Sequence, residues 1–274
     1  MSSLINSTIT RITGTNYSND QDFIAVEEPL EIHLSYVKDF QRQESNLSVT
    51  MRTPGNDKEL ALGFLFTEGI IDNVDQIISV KSSPENIITV SFREDVSFDL
   101  KKLEKHFYTS SSCGVCGKTS IESIKTIKNN PKQNNTLLFK ASLIYKLPLI
   151  LRQNQNVFEQ TGGLHASAIF DFDGKLILIN EDVGRHNALD KLIGSAFQNK
   201  LLPLENYLLL LSGRASFELI QKATMAGINI VVAIGAPSSL AVELAHERGM
   251  TLIGFLRNDR FNIYCGKNRI KIEV

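Results

Sequence analysis

Tyr207-Leu-Leu-Leu-Leu211, Ile228-Asn-Ile-Val-Val-Ala-Ile234 and Thr251-Leu-Ile-Gly-Phe-Leu256 are three apolar runs separated by two stretches of helical periodicity, Phe217 to Ala226 and Ser238 to Arg248. Each helical stretch closes on a glycine, Gly227 and Gly249, the residue that most easily adopts the left-handed conformation past a helix end. Strands joined by helices of this length imply right-handed crossovers and a largely parallel sheet. The expected fold class is therefore α/β, α+β over the whole chain. The C-terminal part should be a three-layer domain with helices on both faces of a mixed sheet.

Upstream, Leu189, Leu192, Ile193, Ala196 and Phe197 recur at helical spacing. Before them, two apolar runs between Ala168 and Ile179 flank Asp173-Gly174, a dipeptide that accepts the positive φ of a tight turn, which predicts a hairpin. The polar, turn-rich stretch Asn129 to Asn135 marks the expected boundary, giving an N-terminal α+β domain over 1–134 and a C-terminal α/β domain over 135–274. In the N-terminal part, Ile9 to Thr13 and Leu30 to Leu34 alternate as half-buried, antiparallel strands. Leu60 to Gly69 reads as an apolar helix and Ile87 to Phe92 as a further strand.

The 274 residues, 42% of them hydrophobic, suffice for a substantial core, and Lys+Arg 29 against Asp+Glu 30 leaves a formal charge of -1. Nothing in that balance supplies the basic field that gathers nucleic acid or anionic membrane. The start, Met1 to Thr8, carries neither charged leader nor apolar run, and no apolar stretch approaches the roughly 20 residues of a membrane span, so a cytoplasmic protein is expected. Three cysteines do not make a secreted disulfide framework.

Two of them stand in Thr109-Ser-Ser-Ser-Cys-Gly-Val-Cys-Gly-Lys-Thr119, a small-residue loop ahead of an expected helix carrying Ile121, Ile124 and Ile127. A helix N-terminus and the Lys118 ammonium would both favour thiolate at Cys113 and Cys116. A structural zinc site would need four ligands, and no second Cys pair is present. A dithiol oxidoreductase would want the pair after the first strand of a βαβ unit, and two inert cysteines remain the bland alternative. A nucleophilic or sulfur-carrying thiol is the reading we carry forward.

A second constellation joins Thr161-Gly-Gly-Leu-His165 to Asn180-Glu-Asp-Val-Gly-Arg-His-Asn-Ala-Leu-Asp-Lys191. It gathers acids, an Arg and two His at a strand end and a helix start, where α/β sheets bind ligands. Its alternative is a buried ion-pair network among Glu181, Asp182, Arg185 and His186 that only fixes the fold. A third group closes the later strands: Ser212-Gly-Arg-Ala-Ser216, Ala236-Pro-Ser-Ser239 and Phe255-Leu-Arg-Asn-Asp-Arg260. Singly these are helix caps or solvated charges; together their hydroxyls and guanidinium forks suit phosphate oxygens. His246 reads as a solvated helix residue, and His106 is unremarkable.

Glu27 to Leu30, Met51 to Gly55, Gly63 to Gly69, Ser111 to Lys118, Thr161 to His165, Glu181 to Lys191, Ser212 to Arg214 and Gly254 to Arg257 together resemble the formate dehydrogenase accessory protein family, FdhD. That resemblance implies a sulfurtransferase. It would take persulfide sulfur from a cysteine desulfurase and deliver it to the molybdenum or tungsten bis-pterin guanine dinucleotide cofactor that formate dehydrogenase needs. It puts the persulfide on Cys113 with Cys116 assisting, and the cofactor-binding stretch on Phe255, Leu256, Arg257, Asn258, Asp259 and Arg260. His165, Arg185, His186, Ser212, Arg214 and Ser238 are the remaining candidate contacts, the last residues suiting the guanine nucleotide end. A non-catalytic cofactor-binding chaperone is the alternative. The resemblance further implies a cytidine-deaminase-like C-terminal fold and a homodimer, but not deaminase zinc chemistry, because His165 is followed by Ser167 where a His-x-Glu motif needs Glu. No resident metal is expected. Asn180 stands where a common form of the family motif has Arg.

Overall fold

The computed structural model describes residues 2–96 and 138–272. The expected domain boundary, Cys113, Cys116, Lys118, His106 and the helix through Ile121, Ile124 and Ile127 lie outside the described residues.

The chain opens with two hairpins: β1 (Leu4–Thr13) with β2 (Asn16–Ala25), and β3 (Glu28–Lys38) with β4 (Gln41–Arg52). Helix α1 (Asp57–Thr67) follows, then β5 (Ile77–Ser83) and β6 (Ile87–Phe92), which complete a four-stranded sheet in the order β4-β3-β6-β5. Leu30, Ile32 and Leu34 of β3 and Ile88, Val90 and Phe92 of β6 turn inward at every second position and pack on α1. The first hairpin departs from the expected half-burial. Its backbone is extended, but Ile12 is 74% and Tyr17 81% exposed, so the alternation there serves no core.

After β7 (Phe139–Lys140) come three short helices, α2 (Ala141–Ile144), α3 (Leu147–Gln153) and α4 (Asn156–Thr161). Then follow β8 (His165–Phe170), β9 (Leu176–Asp182), α5 (Arg185–Gln198), β10 (Leu208–Leu211), α6 (Phe217–Met225), β11 (Ile230–Ala233), α7 (Ser239–Glu247), β12 (Thr251–Gly254), β13 (Asn262–Cys265) and β14 (Ile270–Lys271). The predicted hairpin turns at Gly174, φ 77°, with Asp171 Oδ1 accepting the Asp173 and Lys175 N–H groups. The six-stranded sheet runs β13-β12-β11-β10-β8-β9, with β10, β11 and β12 parallel as expected. Leu209, Leu211, Val231, Ala233 and Leu252 face α5, α6 and α7, whereas Leu208, Leu210, Ile230, Val232 and Ile253 face α2, α3 and β7. Both faces are covered, which is why these strands are apolar throughout. The result is the expected three layers.

The halves are fused at several points, two of them around α1. Helices α1 and α5 cross with backbones touching: a Cβ on Gly63 would strike the Asp190 carbonyl, and one on Gly194 would strike that of Glu59. This explains why α1 is apolar on all sides, since it lies between the four-stranded sheet and α5. Beside the crossing, Lys222 of α6 meets Asp190 at 2.9 Å and Thr67 at 2.9 Å, with Glu68 at 3.6 Å. Burial disfavours the Lys222 ammonium, but the Asp190 and Glu68 carboxylates outweigh it and hold its pKa above the ordinary lysine range. Among the described residues, no helix is long and apolar enough to cross a membrane.

Gly63→Ala forces the helix pair apart, and overpacking of this kind costs about 1–3 kcal/mol. Chemical denaturation should show that loss, and an unchanged midpoint would refute the backbone contact.

Candidate ligand site at the carboxyl edge of the sheet

Strands β9, β10, β11 and β12 all end on one edge of the six-stranded sheet, and β8, running the other way, begins there with His165 opposite Asp182. The second and third sequence constellations therefore meet. Helices α5, α6 and α7 all start at this edge, presenting their unsatisfied N–H groups and positive dipole ends.

The acids of Glu181 to Lys191 hold the fold, though not in the arrangement the sequence suggested. Asp182, fully buried, pairs with Lys191 at 2.7 Å and accepts N–H bonds from Thr53 at 3.2 Å and Gly184 at 2.8 Å. Asn187 bridges Asp182 Oδ1 at 3.2 Å and the Met51 carbonyl at 2.7 Å, while the Thr50 hydroxyl donates to its Oδ1. Val183 N–H donates to the Thr53 hydroxyl. Glu181 accepts the N–H groups of Val157 and Phe158 at 3.1 and 3.0 Å. Arg185 and His186 are left out of this network.

Their exclusion matters. Arg185 Nε, His186 Nε2 and Ser216 Oγ are buried polar atoms without a hydrogen-bond partner. His186 Nε2 stands 3.9 Å from Glu218 Oε2, beyond hydrogen-bond reach. Burial, followed by the charges of Arg185 and Lys222, lowers the His186 pKa to about 4, so the ring is neutral at pH 7. His165 is lowered as well, by burial and then by Arg185. Its ring lies over Gly213, where a Cβ would come within 3.2 Å of Nδ1.

The remaining candidates separate by use. Ser238 caps α7, accepting the Ala241 N–H at 3.3 Å, and Ser212 accepts the Ala166 N–H at 2.8 Å. Arg257 staples its own loop by donating to the Ile234 and Leu256 carbonyls, both at 2.8 Å. Arg214, Asn258, Asp259 and Arg260 are exposed on the same edge, and Leu256 is buried in the core. Phe255 is 42% exposed with φ 54°, a backbone region costly for a bulky side chain, and its N–H is held by the Gly235 carbonyl. Ser216 lies in the third sequence group but is not among the named contacts, and Thr53 is not singled out there for a role of its own. Ser216 had a readable signal as the N-terminal hydroxyl of α6; Thr53, 129 residues from Asp182, had none.

The edge offers three orphaned polar atoms, one of them a guanidinium nitrogen, and helix N-termini, an arrangement that suits the oxygens of a phosphate-bearing ligand.

The FdhD/NarQ family model matches residues 25–271. The sulfur carrier protein FdhD of Streptomyces avermitilis is 44% identical over 280 residues, covering 97% of this chain and 95% of its own. Those of Sulfurisphaera tokodaii and Mycobacterium tuberculosis are each 42% identical, over 95% and 90% of this chain and 96% and 91% of theirs. A crystal structure of a candidate formate dehydrogenase accessory protein from Desulfotalea psychrophila shares the fold, with TM-score 0.72 and 22% identity over 98% of this chain and 99% of that one. Matched from residue 25 onward by one family model, and by relatives along nearly their whole lengths, the chain belongs to the FdhD/NarQ family.

Proposed function

We propose that this chain is a sulfur carrier in formate dehydrogenase maturation, a role supported by the names of its relatives. It would accept sulfur on Cys113 and pass it to a pterin guanine dinucleotide cofactor bound as substrate at the carboxyl edge of the sheet. The observation that carries the cofactor half of this reading is that Arg185 Nε, His186 Nε2 and Ser216 Oγ, at the starts of α5 and α6, are each buried and unpaired. An unmade hydrogen bond of this kind costs about 1–3 kcal/mol per atom, and a ligand rich in acceptor oxygens and ring nitrogens relieves that cost.

In the loading step, the Cys113 thiolate attacks the outer sulfur of a cysteine desulfurase persulfide. A new S–S bond forms on Cys113 and the donor's thiolate leaves. In the delivery step, the Cys116 thiolate attacks Cys113 Sγ and expels hydrosulfide toward the bound metal. The Cys113–Cys116 disulfide that remains is reduced by a cellular dithiol before the next cycle. Arg185 provides a fixed positive charge for the ligand's phosphates. Neutral His186 hydrogen-bonds to the ligand without adding a second cation beside Arg185. A homodimer completes the reading.

Mass spectrometry after incubation with a desulfurase and cysteine should show one added sulfur on Cys113, lost in Cys113→Ala. Full formate dehydrogenase maturation by Cys113→Ala would favour the chaperone alternative. For the cofactor half, guanosine diphosphate serves as the probe. Arg185→Ala should weaken its binding by about 10- to 100-fold, the effect of removing a charged hydrogen bond, and an unchanged affinity by calorimetry would count against the assigned seat. His186 should titrate near pH 4 by NMR in the ligand-free protein. Because its unfolded pKa is about 6.5, the unfolded chain binds the extra proton first, so its contribution to stability falls as pH drops from about 6.5 toward 4. His186→Gln should flatten that slope.

A further inference from the structure

A cavity of about 590 Å³ lies between α3 and α4. Gln155, in the two-residue link between those helices, lines it. Only 5% of Gln155 is exposed, and its amide nitrogen is buried with no hydrogen-bond partner. Arg152 and Glu159 line the cavity too, with Arg152 Nε 3.4 Å from Glu159 Oε2. Their side chains are 66% and 61% exposed, so the pair is worth little on its own in water. Arg152 carries four further N–H donors and Glu159 further lone pairs, which leaves a fixed plus and minus a few ångströms apart for a third party. Leu149, 63% exposed, adds an apolar wall.

We propose that this cavity binds a small zwitterion of amino-acid or dipeptide size. The ligand's carboxylate takes the Arg152 guanidinium and the orphaned Gln155 amide, its ammonium takes the Glu159 carboxylate, and its side chain lies on Leu149. The volume falls within the roughly 300–1,000 Å³ of small-molecule sites. A dianionic or dicationic ligand would set one charge against its like, and a purely apolar one would leave the Gln155 nitrogen unpaired. Its lining residues are distinct from the candidate contacts of the sulfur-carrier reading, although Glu181 at the carboxyl edge accepts the Val157 and Phe158 N–H groups at the start of α4.

The test uses the full-length protein and L-alanyl-L-leucine, with N-acetylated and carboxy-amidated forms as charge-edited controls, followed by ¹H–¹⁵N NMR titration. Saturable shifts confined to α3 and α4 are expected for the dipeptide, weakened about tenfold or more when either charge is removed. Glu159→Gln, an exposed substitution that leaves the fold intact, should weaken the dipeptide and spare the acetylated control. Gln155→Leu should weaken both the dipeptide and the control. Absence of saturation at millimolar dipeptide, equal binding of the edited forms, or indifference to Glu159→Gln overturns the proposal.

Discussion

The contact between the backbones of α1 and α5 governs the rest of the molecule. Two glycines, Gly63 and Gly194, bring each helix against the other's carbonyl groups. That approach fixes the axial position and rotation of α5, and α5 begins with Arg185 and His186. It also places Asp190 where Lys222 and Thr67 can close around it, tying α6 into the same unit. The sequence block Glu181 to Lys191 thus carries two kinds of residue on one helix. One set is buried and paired, holding the helix in place; the other is presented at the sheet edge.

The presented set is polar in a measured way. Arg185 is permanently charged, and a protonated His186 beside it would add like-charge repulsion inside a poorly solvated site. Burial, Arg185 and Lys222 remove that proton at neutral pH, so the Arg185 cation stands beside a neutral His186 ring, and burial and Arg185 lower the His165 pKa as well. Glu218 stands 3.9 Å from His186 Nε2, and Asp182 has its oxygens already occupied by Lys191, Thr53, Gly184 and Asn187. A donor-rich edge results in a chain whose overall charge is only -1. Composition therefore said nothing about it; topology did.

What could be read in the sequence follows how local each signal is. The runs in β10 to β12 and the glycines after α6 and α7 gave elements within one or two residues of those observed, because burial on both faces and left-handed caps leave marks in adjacent positions. The convergence of strand-end residues also followed, since parallel strands put their carboxyl ends together. Helices α2 to α4 span four to seven residues each, too short to display a period, and passed unnoticed. The first hairpin showed its apolar alternation but not its exposure, which depends on the absence of a covering layer. Thr53 and the Asp182–Lys191 pair depend on partners that pattern cannot supply.

The ligand edge is consequently a product of both halves of the chain. Remove Thr50 to Thr53 and Asp182 loses a backbone donor, Asn187 loses its anchor at Met51, and the Val183 N–H loses the Thr53 hydroxyl. Lys191 would keep its carboxylate yet lose the Thr53 carbonyl at 2.8 Å. Each loss falls within six residues of Arg185, in the turn that aims it or in the first two turns of α5. Each hydrogen bond lost by a buried polar or charged group costs about 1–3 kcal/mol, and several are lost together here. Such a penalty is comparable with the whole stability of many domains. A stable fold and a fixed Arg185 therefore depend on the same few atoms, shared between an N-terminal strand end and a C-terminal helix start.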